Sequence, residues 1–189
     1  MAQYTALYDA CVLYPAPLRD LLLQLATTDL FRARWTDTIH DEWIKNVCAN
    51  RADLKMSDLK RTRELMDQNV RDCLVTGYEP LIDTLSLPDK NDRHVLAAAI
   101  QGRADVIVTF NLKDFPKESL LPYNIEAQHP DEFIAHLCDL APTFVYTAAK
   151  TVRARLKNPP KTVAEYLAIL EKQGLSKTAD LLSDGKELI

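Results

Sequence analysis

The sequence is poor in glycine, and its cysteines are scattered. Only four glycines occur among the 189 residues, and neither a G-x-G-x-x-G nor a G-x-x-x-x-G-K-[ST] pattern is present. The chain therefore supports neither a Rossmann dinucleotide site nor a P-loop, because both need glycines where the backbone approaches a phosphate. The four cysteines include no C-x-x-C pair, which excludes the usual zinc ribbon and provides no disulfide framework.

Further absences limit the class of protein. No apolar run approaches the ~20 residues that a membrane helix needs, and the first residues lack the basic n-region of a signal peptide. Lys and Arg total 23 against 27 Asp and Glu, a formal net charge of −4. A protein that coats nucleic acid through bulk positive charge is therefore not expected, whereas one that acts on phosphates through carboxylate-held metal ions agrees with this balance. We expect a cytoplasmic protein that does not enter a membrane.

Short apolar runs alternate with longer amphipathic stretches over the first 140 or so residues. Four runs are predicted to be strands, at residues 4–8, 31–35, 105–109 and 124–128. The stretches between them carry apolar residues at helical spacing. Strands that alternate with helices imply crossover connections, so we predict an α/β fold with a mainly parallel sheet.

The pattern changes in the last quarter of the chain. From Pro142 onward it is helical only, with a break at Pro159-Pro160. We therefore predict an α/β domain over residues 1–141 and a C-terminal helical extension over residues 142–189. The chain length suits one domain of ordinary size with such an appendage.

Several acidic residues fall where this fold could gather them. Asp9 immediately follows the first strand, and ligands of open α/β sheets bind beyond the carboxyl ends of the strands. Glu42 lies on a predicted helix close to its apolar stripe, and Asp92 lies in the first turn of an alanine-rich helix. Asn111 or Asp114, after the clearest buried strand, could face the same edge as Asp9. Taken singly, each acid also has a structural explanation as a helix cap, a turn residue or a solvated helix acid.

The order of these residues resembles a PIN-domain nuclease, the fold of VapC-type toxins of bacterial toxin–antitoxin systems. The resemblance rests on Asp9 after the first strand, the helical Glu42, the helix Asp92-x-x-x-x-Ala-Ala-Ala and the segment Thr109-x-Asn-x-x-Asp-Phe. It covers roughly residues 4–140. The resemblance implies a PIN-like three-layer α/β/α sandwich with a mainly parallel central sheet.

The resemblance also implies the chemistry of the site. Members of this family hold Mg²⁺ or Mn²⁺ with three or four acids and cleave RNA. Asp9, Glu42, Asp92 and Asp114 would be the catalytic metal ligands, although many members place an acid where this sequence has Asn111. Carboxylates close together repel one another, and a hard divalent cation relieves that repulsion. A metal-bound water can then act as the nucleophile.

Polar residues beside these acids would bind the substrate. Thr109 and Asn111 could orient water or a ligand through hydrogen bonds, and Arg93 could contact a phosphate. A basic run further along the chain is either a solvated helix face or a contact with RNA or an antitoxin. This basic run comprises Lys150, Arg153, Arg155, Lys157 and Lys161.

Several functions are compatible with the same residues. The resemblance implies a toxin of a type II system, with RNA as substrate, an antitoxin protein as partner and a homodimer as the default assembly. A housekeeping RNA-processing PIN nuclease, or a PIN-like scaffold that binds RNA or protein without cutting, would have much the same sequence. A phosphatase of the haloacid dehalogenase type is disfavoured because it needs a second Asp where this chain has Cys11. A receiver domain is disfavoured because Tyr8-Asp9-Ala10 contains no acid pair.

Overall fold

A computed structural model describes residues 4–189 and divides them into two units. The first unit comprises residues 4–14 and 31–129, and the second comprises residues 15–30 and 130–189. The second unit thus includes a segment from the first part of the chain as well as the C-terminal helices. The predicted division of the chain into residues 1–141 and 142–189 differs from this grouping and stays a prediction.

A four-stranded parallel sheet forms the centre of the first unit, in the order β2-β1-β3-β4. Its strands are β1 (Thr5–Tyr8), β2 (Arg32–Arg34), β3 (Val106–Val108) and β4 (Glu126–Gln128). The two central strands, β1 and β3, are buried and consist of apolar, aromatic and β-branched residues, with hydroxyl groups only on Thr5 and Tyr8. This pattern is typical of a strand covered on both faces. The predicted α/β class and parallel sheet are confirmed.

Helices of the first unit connect these strands, and their positions follow from local sequence signals. They are α1 (Ala10–Leu13), α3 (Asp37–Asn50), α4 (Met56–Asn69), α5 (Glu79–Ile82), α6 (Arg93–Gln101) and α7 (Lys117–Leu120). Thr36 caps α3 by accepting a hydrogen bond from the backbone N–H of Ile39. Asp89 caps a 3₁₀ turn over Lys90–Asp92 rather than α6 itself. The alanine-rich helix whose first turn was predicted to contain Asp92 therefore begins at Arg93, directly after this short turn.

A chain of hydrogen bonds in the core fixes the helix that carries Glu42. Trp43 donates its indole N–H to Nδ1 of His40 on the same helix, at 3.0 Å. Nε2 of His40 contacts Asp67 of α4 at 2.9 Å, and Asp67 also accepts the indole N–H of Trp35 at 2.8 Å. Burial lowers the pKa of His40, which favours the neutral ring. Because Nδ1 accepts the indole N–H of Trp43, the proton of that neutral ring is on Nε2. The network ties α3 to α4 and to the end of β2.

The second unit is helical. It contains α2 (Ala16–Ala26), α8 (Pro130–Leu140), α9 (Pro142–Arg155), α10 (Val163–Lys172) and α11 (Ser176–Asp184). Four leucines of α2, Leu18, Leu21, Leu22 and Leu25, are fully buried. Asp131 of α8 accepts the backbone N–H groups of Lys177 and Thr178 at the start of α11. Among residues 4–189, no helix has the length and apolar character needed to cross a membrane.

Candidate active site

The carboxyl ends of β1 and β3 place Asp9 and Thr109 side by side. The backbone N–H of Asp9 donates to the carbonyl of Val108 at 3.1 Å, and that of Thr109 donates to Gln128 at 3.0 Å. Both residues therefore continue the hydrogen bonding of the parallel sheet. The hydroxyl of Thr109 donates to Oδ2 of Asp9 at 2.7 Å, and both side chains are buried. A charge-assisted bond of this length holds the Asp9 carboxylate in one orientation.

Cys11 completes the surroundings of Asp9. Its thiol donates to Oδ2 of Asp9 at 3.1 Å, and its sulfur accepts the backbone N–H of Phe110 at 3.3 Å. Burial, followed by the charge of Asp9, raises the pKa of the Cys11 thiol to about 12. The thiol is therefore protonated near neutral pH and serves as a hydrogen-bond donor rather than a nucleophile. Sequence reasoning used Cys11 only to exclude another enzyme class and missed this contact, which the spacing Asp9-x-Cys11 could have suggested.

Asp92 has a strongly perturbed carboxyl group. It ends the 3₁₀ turn that precedes α6 and is half-buried. Burial and then the charges of Asp9, Asp89 and Asp114, in that order, together raise the pKa of Asp92 from 3.8 to about 6. The charge of His94 lowers it. Two other predicted ligands, Asp9 and Asp114, thus lie near enough to Asp92 for their charges to act on it.

Glu42 has a different partner. Its Oε1 lies 3.0 Å from Nε2 of His94 on α6, and the His94 side chain is 10% exposed. Nδ1 of His94 is buried without a hydrogen-bond partner among the described residues, so Nε2 carries the proton donated to the carboxylate. His94 thus contacts Glu42 and also acts electrostatically on Asp92. This pairing was not predicted from the sequence.

The other predicted residues occupy the loops around this edge. The backbone N–H of Asn111 donates to the Thr109 hydroxyl at 3.0 Å, while the Asn111 residue is exposed. Asp114 lies at the end of a 3₁₀ turn and donates its backbone N–H to the carbonyl of Asn111 at 2.9 Å. Arg93 donates from Nε to the carbonyl of Lys90 at 3.1 Å. Asp114 carries a charge that raises the pKa of Asp92, whereas Asn111 is uncharged.

The donor set has the chemistry of a divalent-cation site. All of its acidic members offer carboxylate oxygens, the ligands that Mg²⁺ prefers, and their mutual repulsion is what a cation would relieve. Among the residues that the structure describes, no three His, Cys, Asp or Glu side chains already form a group that could hold a metal ion. The aspartates fit the cation by charge and atom type, and Glu42 is engaged by His94.

The basic run has structural contacts within the second unit. Arg153 donates to the carbonyl oxygens of Lys161 and Ile189, at 2.8 and 3.2 Å. Arg155 is exposed in the last turn of α9, and its charge acts on Asp20 of α2. At least one of the five cations is therefore used to hold the helices of this unit together. The role of the run in binding RNA or an antitoxin stays a prediction.

Comparison with known proteins agrees with the geometry of both units. A family model described as "PIN domain" matches residues 5–113, and one described as "VapC50 C-terminal domain" matches residues 130–184. A curated relative, "Putative ribonuclease VapC50" of Mycobacterium tuberculosis (strain ATCC 25618 / H37Rv), is 55% identical over 64 residues. The aligned stretch covers 34% of this chain and 37% of the relative, little more than a third of its length. No solved structure matches the chain. The PIN-like three-layer sandwich with C-terminal helices, predicted by resemblance, is confirmed.

Proposed function

Because the chain belongs to the PIN-domain family, we propose that it is a metal-dependent endoribonuclease acting at the carboxyl edge of β1 and β3. One observation carries the proposal: Asp9 and Asp114 act electrostatically on a half-buried Asp92 and help to raise its pKa to about 6. Like charges gathered in this way are unfavourable unless a cation binds between them. The perturbed pKa of a carboxyl group at a ligand-binding edge is typical of functional sites.

We propose that Mg²⁺ or Mn²⁺ binds Asp9, Asp92 and Asp114, with Glu42 as a further ligand. When bound, the cation supplies a Lewis acid for the phosphate and an activated water for hydrolysis. The chain's own residues prepare the site for it. Thr109 and Cys11 hold Oδ2 of Asp9 by hydrogen bonds, and this fixes the carboxylate before a cation arrives.

Substrate binding is assigned to the polar residues on the rim of the site. The backbone N–H of Asn111 bonds the Thr109 hydroxyl, which leaves the exposed Asn111 amide available to an RNA phosphate or ribose. Arg93 lies directly after Asp92 in the chain, so its guanidinium is a cation adjacent to a proposed metal ligand. A guanidinium is well suited to a phosphodiester because its N–H groups form a planar fork.

We further propose that the protein is the toxin of a type II toxin–antitoxin system and acts in the cytoplasm as a homodimer with an antitoxin partner. The match of residues 130–184 to the VapC50 C-terminal model supports this role, as does the ribonuclease name of the relative. A housekeeping RNA-processing nuclease is the alternative within the same chemistry. A scaffold that binds without cutting is the alternative outside it, and the three interacting aspartates argue against it.

Cleavage of a mixed RNA substrate tests the proposed activity. The wild-type protein is incubated with Mn²⁺, with Mg²⁺ and with EDTA, beside Asp9→Asn and the matched control Glu64→Gln, whose exposed carboxylate lies on α4. We expect metal-dependent fragments from the wild type and the control, and none from Asp9→Asn. Cleavage that persists in Asp9→Asn would contradict the assigned site. A wild type that neither cleaves RNA nor gains thermal stability with Mn²⁺ would favour the scaffold.

Expression in a bacterial host separates the toxin from the housekeeping enzyme. Induction of the wild type is expected to arrest growth, whereas induction of Asp9→Asn to the same protein level is not. A wild type that cleaves RNA after purification but leaves growth unchanged would indicate the housekeeping alternative.

A further inference from the structure

A polar cavity of about 620 Å³ lies at the amino ends of the strands, opposite the carboxylate edge. Its lining includes Thr5 at the start of β1, Arg32 at the start of β2 and Asp105 just before β3. Arg34 and Arg103 complete its charged lining. The volume is within the range of pockets that hold small ligands, roughly 300–1,000 Å³. All of these residues belong to the first unit.

The charge of this cavity is opposite to that of the carboxylate edge. Arg32 and Arg34 are two residues apart on β2, so their side chains leave the same face of the sheet while Ala33 is buried on the other. Asp105 is the acid among the lining residues, and its Oδ2 accepts the backbone N–H of Thr5 at 2.7 Å. Three arginines against one carboxylate leave the cavity with a net positive charge in a chain whose overall charge is −4.

Arg34 has hydrogen-bonding capacity that the protein does not use. Its Nη1 donates to the carbonyl of Asp72. Its Nε is buried and has no hydrogen-bond partner among the described residues. Within residues 4–189, no carboxylate forms an ion pair with Arg34 or Arg103. A buried donor without an acceptor is costly, and an anion in the cavity would offer one.

Arg103 adopts a backbone conformation that arginine disfavours. It follows the end of α6 with φ of 50°, in the left-handed region. The backbone N–H of Ala104 bonds the carbonyl of Ala99, which is the Schellman arrangement in which glycine is usual at the position that Arg103 holds. The other three described non-glycine residues with positive φ are Asp or Asn, which tolerate this region better.

The glycine of this turn is Gly102, one residue before Arg103, and the packing around it explains its position. A Cβ on Gly102 would lie 2.9 Å from Cγ2 of Val75 and 3.0 Å from the carbonyl oxygen of Ala98, so only glycine fits there. Nothing comparable requires an arginine at residue 103, where a glycine would relieve the backbone. A strained cation that lines a positive cavity is better explained by a ligand than by packing.

We propose that this arginine pocket, formed by Arg32, Arg34 and Arg103, binds a phosphate group of a nucleotide or of an RNA strand. Guanidinium forks bind phosphate oxygens in pairs, and three of them around one cavity match a multiply charged or bridging phosphate. The pocket is separate from the carboxylate edge, so its ligand need not be the scissile phosphate. Binding here does not require the metal on which the proposed cleavage depends.

Calorimetric titration of the full chain in EDTA tests the pocket without cleavage. The probes are inorganic phosphate, 5′-AMP and a short 2′-O-methyl RNA, and the variants are Arg103→Gln, Arg103→Gly and the control Arg61→Gln on α4. We expect the probe that binds the wild type to bind both Arg103 variants about tenfold more weakly, since each loses a charged donor, and to bind the control equally. Binding of 5′-AMP or phosphate identifies a free ligand as the source; binding of the RNA alone identifies a strand.

Two results would overturn the proposal. One is an Arg103→Gln variant that binds every probe as tightly as the wild type, and the other is a wild type that binds no probe. Thermal denaturation of Arg103→Gly adds a readout that does not depend on a ligand. The glycine relieves the backbone, so this variant should melt no lower than the wild type, and a lower melting temperature would mean that Arg103 serves packing.

Discussion

Replacing Asp92 by Asn should stabilise the metal-free protein near neutral pH while removing a proposed metal ligand. The folded protein holds the Asp92 carboxyl in a half-buried place near Asp9 and Asp114, and this raises its pKa from 3.8 to about 6. At pH 7.5 the folded chain therefore carries a charge that its surroundings disfavour. Asn has nearly the same shape without the charge, so the substitution removes the repulsion.

The size of the effect follows from the pKa. An increase from 3.8 to about 6 corresponds to roughly 3 kcal/mol between the charged and neutral forms. Because the side chain is only half-buried, solvent screening reduces the expected gain in the free energy of unfolding to about 1–1.5 kcal/mol. For a chain of this length the melting temperature should rise by roughly 2–5 °C.

The dependence on pH has a definite sign. The pKa of Asp92 is higher in the folded than in the unfolded chain, so its contribution to stability is fully present below pH 3.8 and is lost as the pH rises through about 6. Asp92→Asn cannot undergo that loss. The gain of the variant over the wild type in free energy of unfolding should therefore be near zero at pH 4 and should reach its full size at pH 7.5.

Thermal denaturation in EDTA at pH 4 and pH 7.5 measures this difference, with Glu64→Gln as the matched loss of an exposed charge. Adding Mn²⁺ at pH 7.5 should reverse the order, because the wild type gains stability from the cation and the variant gains less. An Asp92→Asn variant that is less stable than the wild type at pH 7.5 in EDTA would refute the reasoning. An equal difference at both pH values would refute it as well.

Three further substitutions test the contacts that hold the site and the fold. Thr109→Val should lower the free energy of unfolding by about 1–2 kcal/mol, because Oδ2 of Asp9 loses a buried donor; Thr109→Ser, which keeps the hydroxyl, should lose less in the same urea titration. Gly102→Ala should cost about 1–3 kcal/mol because its Cβ would press on Val75 and on a backbone oxygen, and an unchanged urea midpoint would contradict this. His40→Leu should cost about 2–4 kcal/mol, because the buried indole N–H of Trp43 loses the Nδ1 acceptor and Asp67 loses one of its hydrogen-bond donors. Since burial lowers the pKa of His40, the wild type should also lose stability below about pH 6.5, and His40→Leu should lose less over that range.

The parallel sheet and the position of Asp9 could be predicted because both depend on local patterns. The run Asp105-Val-Ile-Val-Thr109 is apolar and β-branched, so β3 was placed within one residue at each end. An acid directly after a buried strand must lie at the carboxyl edge of a parallel sheet, whichever helices follow. The family resemblance, built on those residues in order, is confirmed by the PIN match over residues 5–113.

Short elements and long-range pairs could not be predicted. The helices α1, α5 and α7 are four residues long, too short to show a helical period. The pairing of Glu42 with His94 joins helices that are about fifty positions apart in sequence, and no local signal distinguishes it from a free carboxylate. The contact of Cys11 with Asp9 depends on the turn that α1 makes after β1, so the spacing Asp9-x-Cys11 can suggest this contact but does not establish it.

The arginine pocket shows that the net charge of a chain does not exclude a local site for an anion. A net charge of −4 argues against a protein that coats nucleic acid, because that function needs positive charge over a large surface. The net charge does not predict how the fold distributes charged residues between the two edges of the sheet. Here β2 contributes Arg32 and Arg34 and the end of α6 contributes Arg103, while Asp9 and Asp114 come after the carboxyl ends of β1 and β3. Residues from separate segments produce this separation of charge, so it emerges only when the register of the sheet is known.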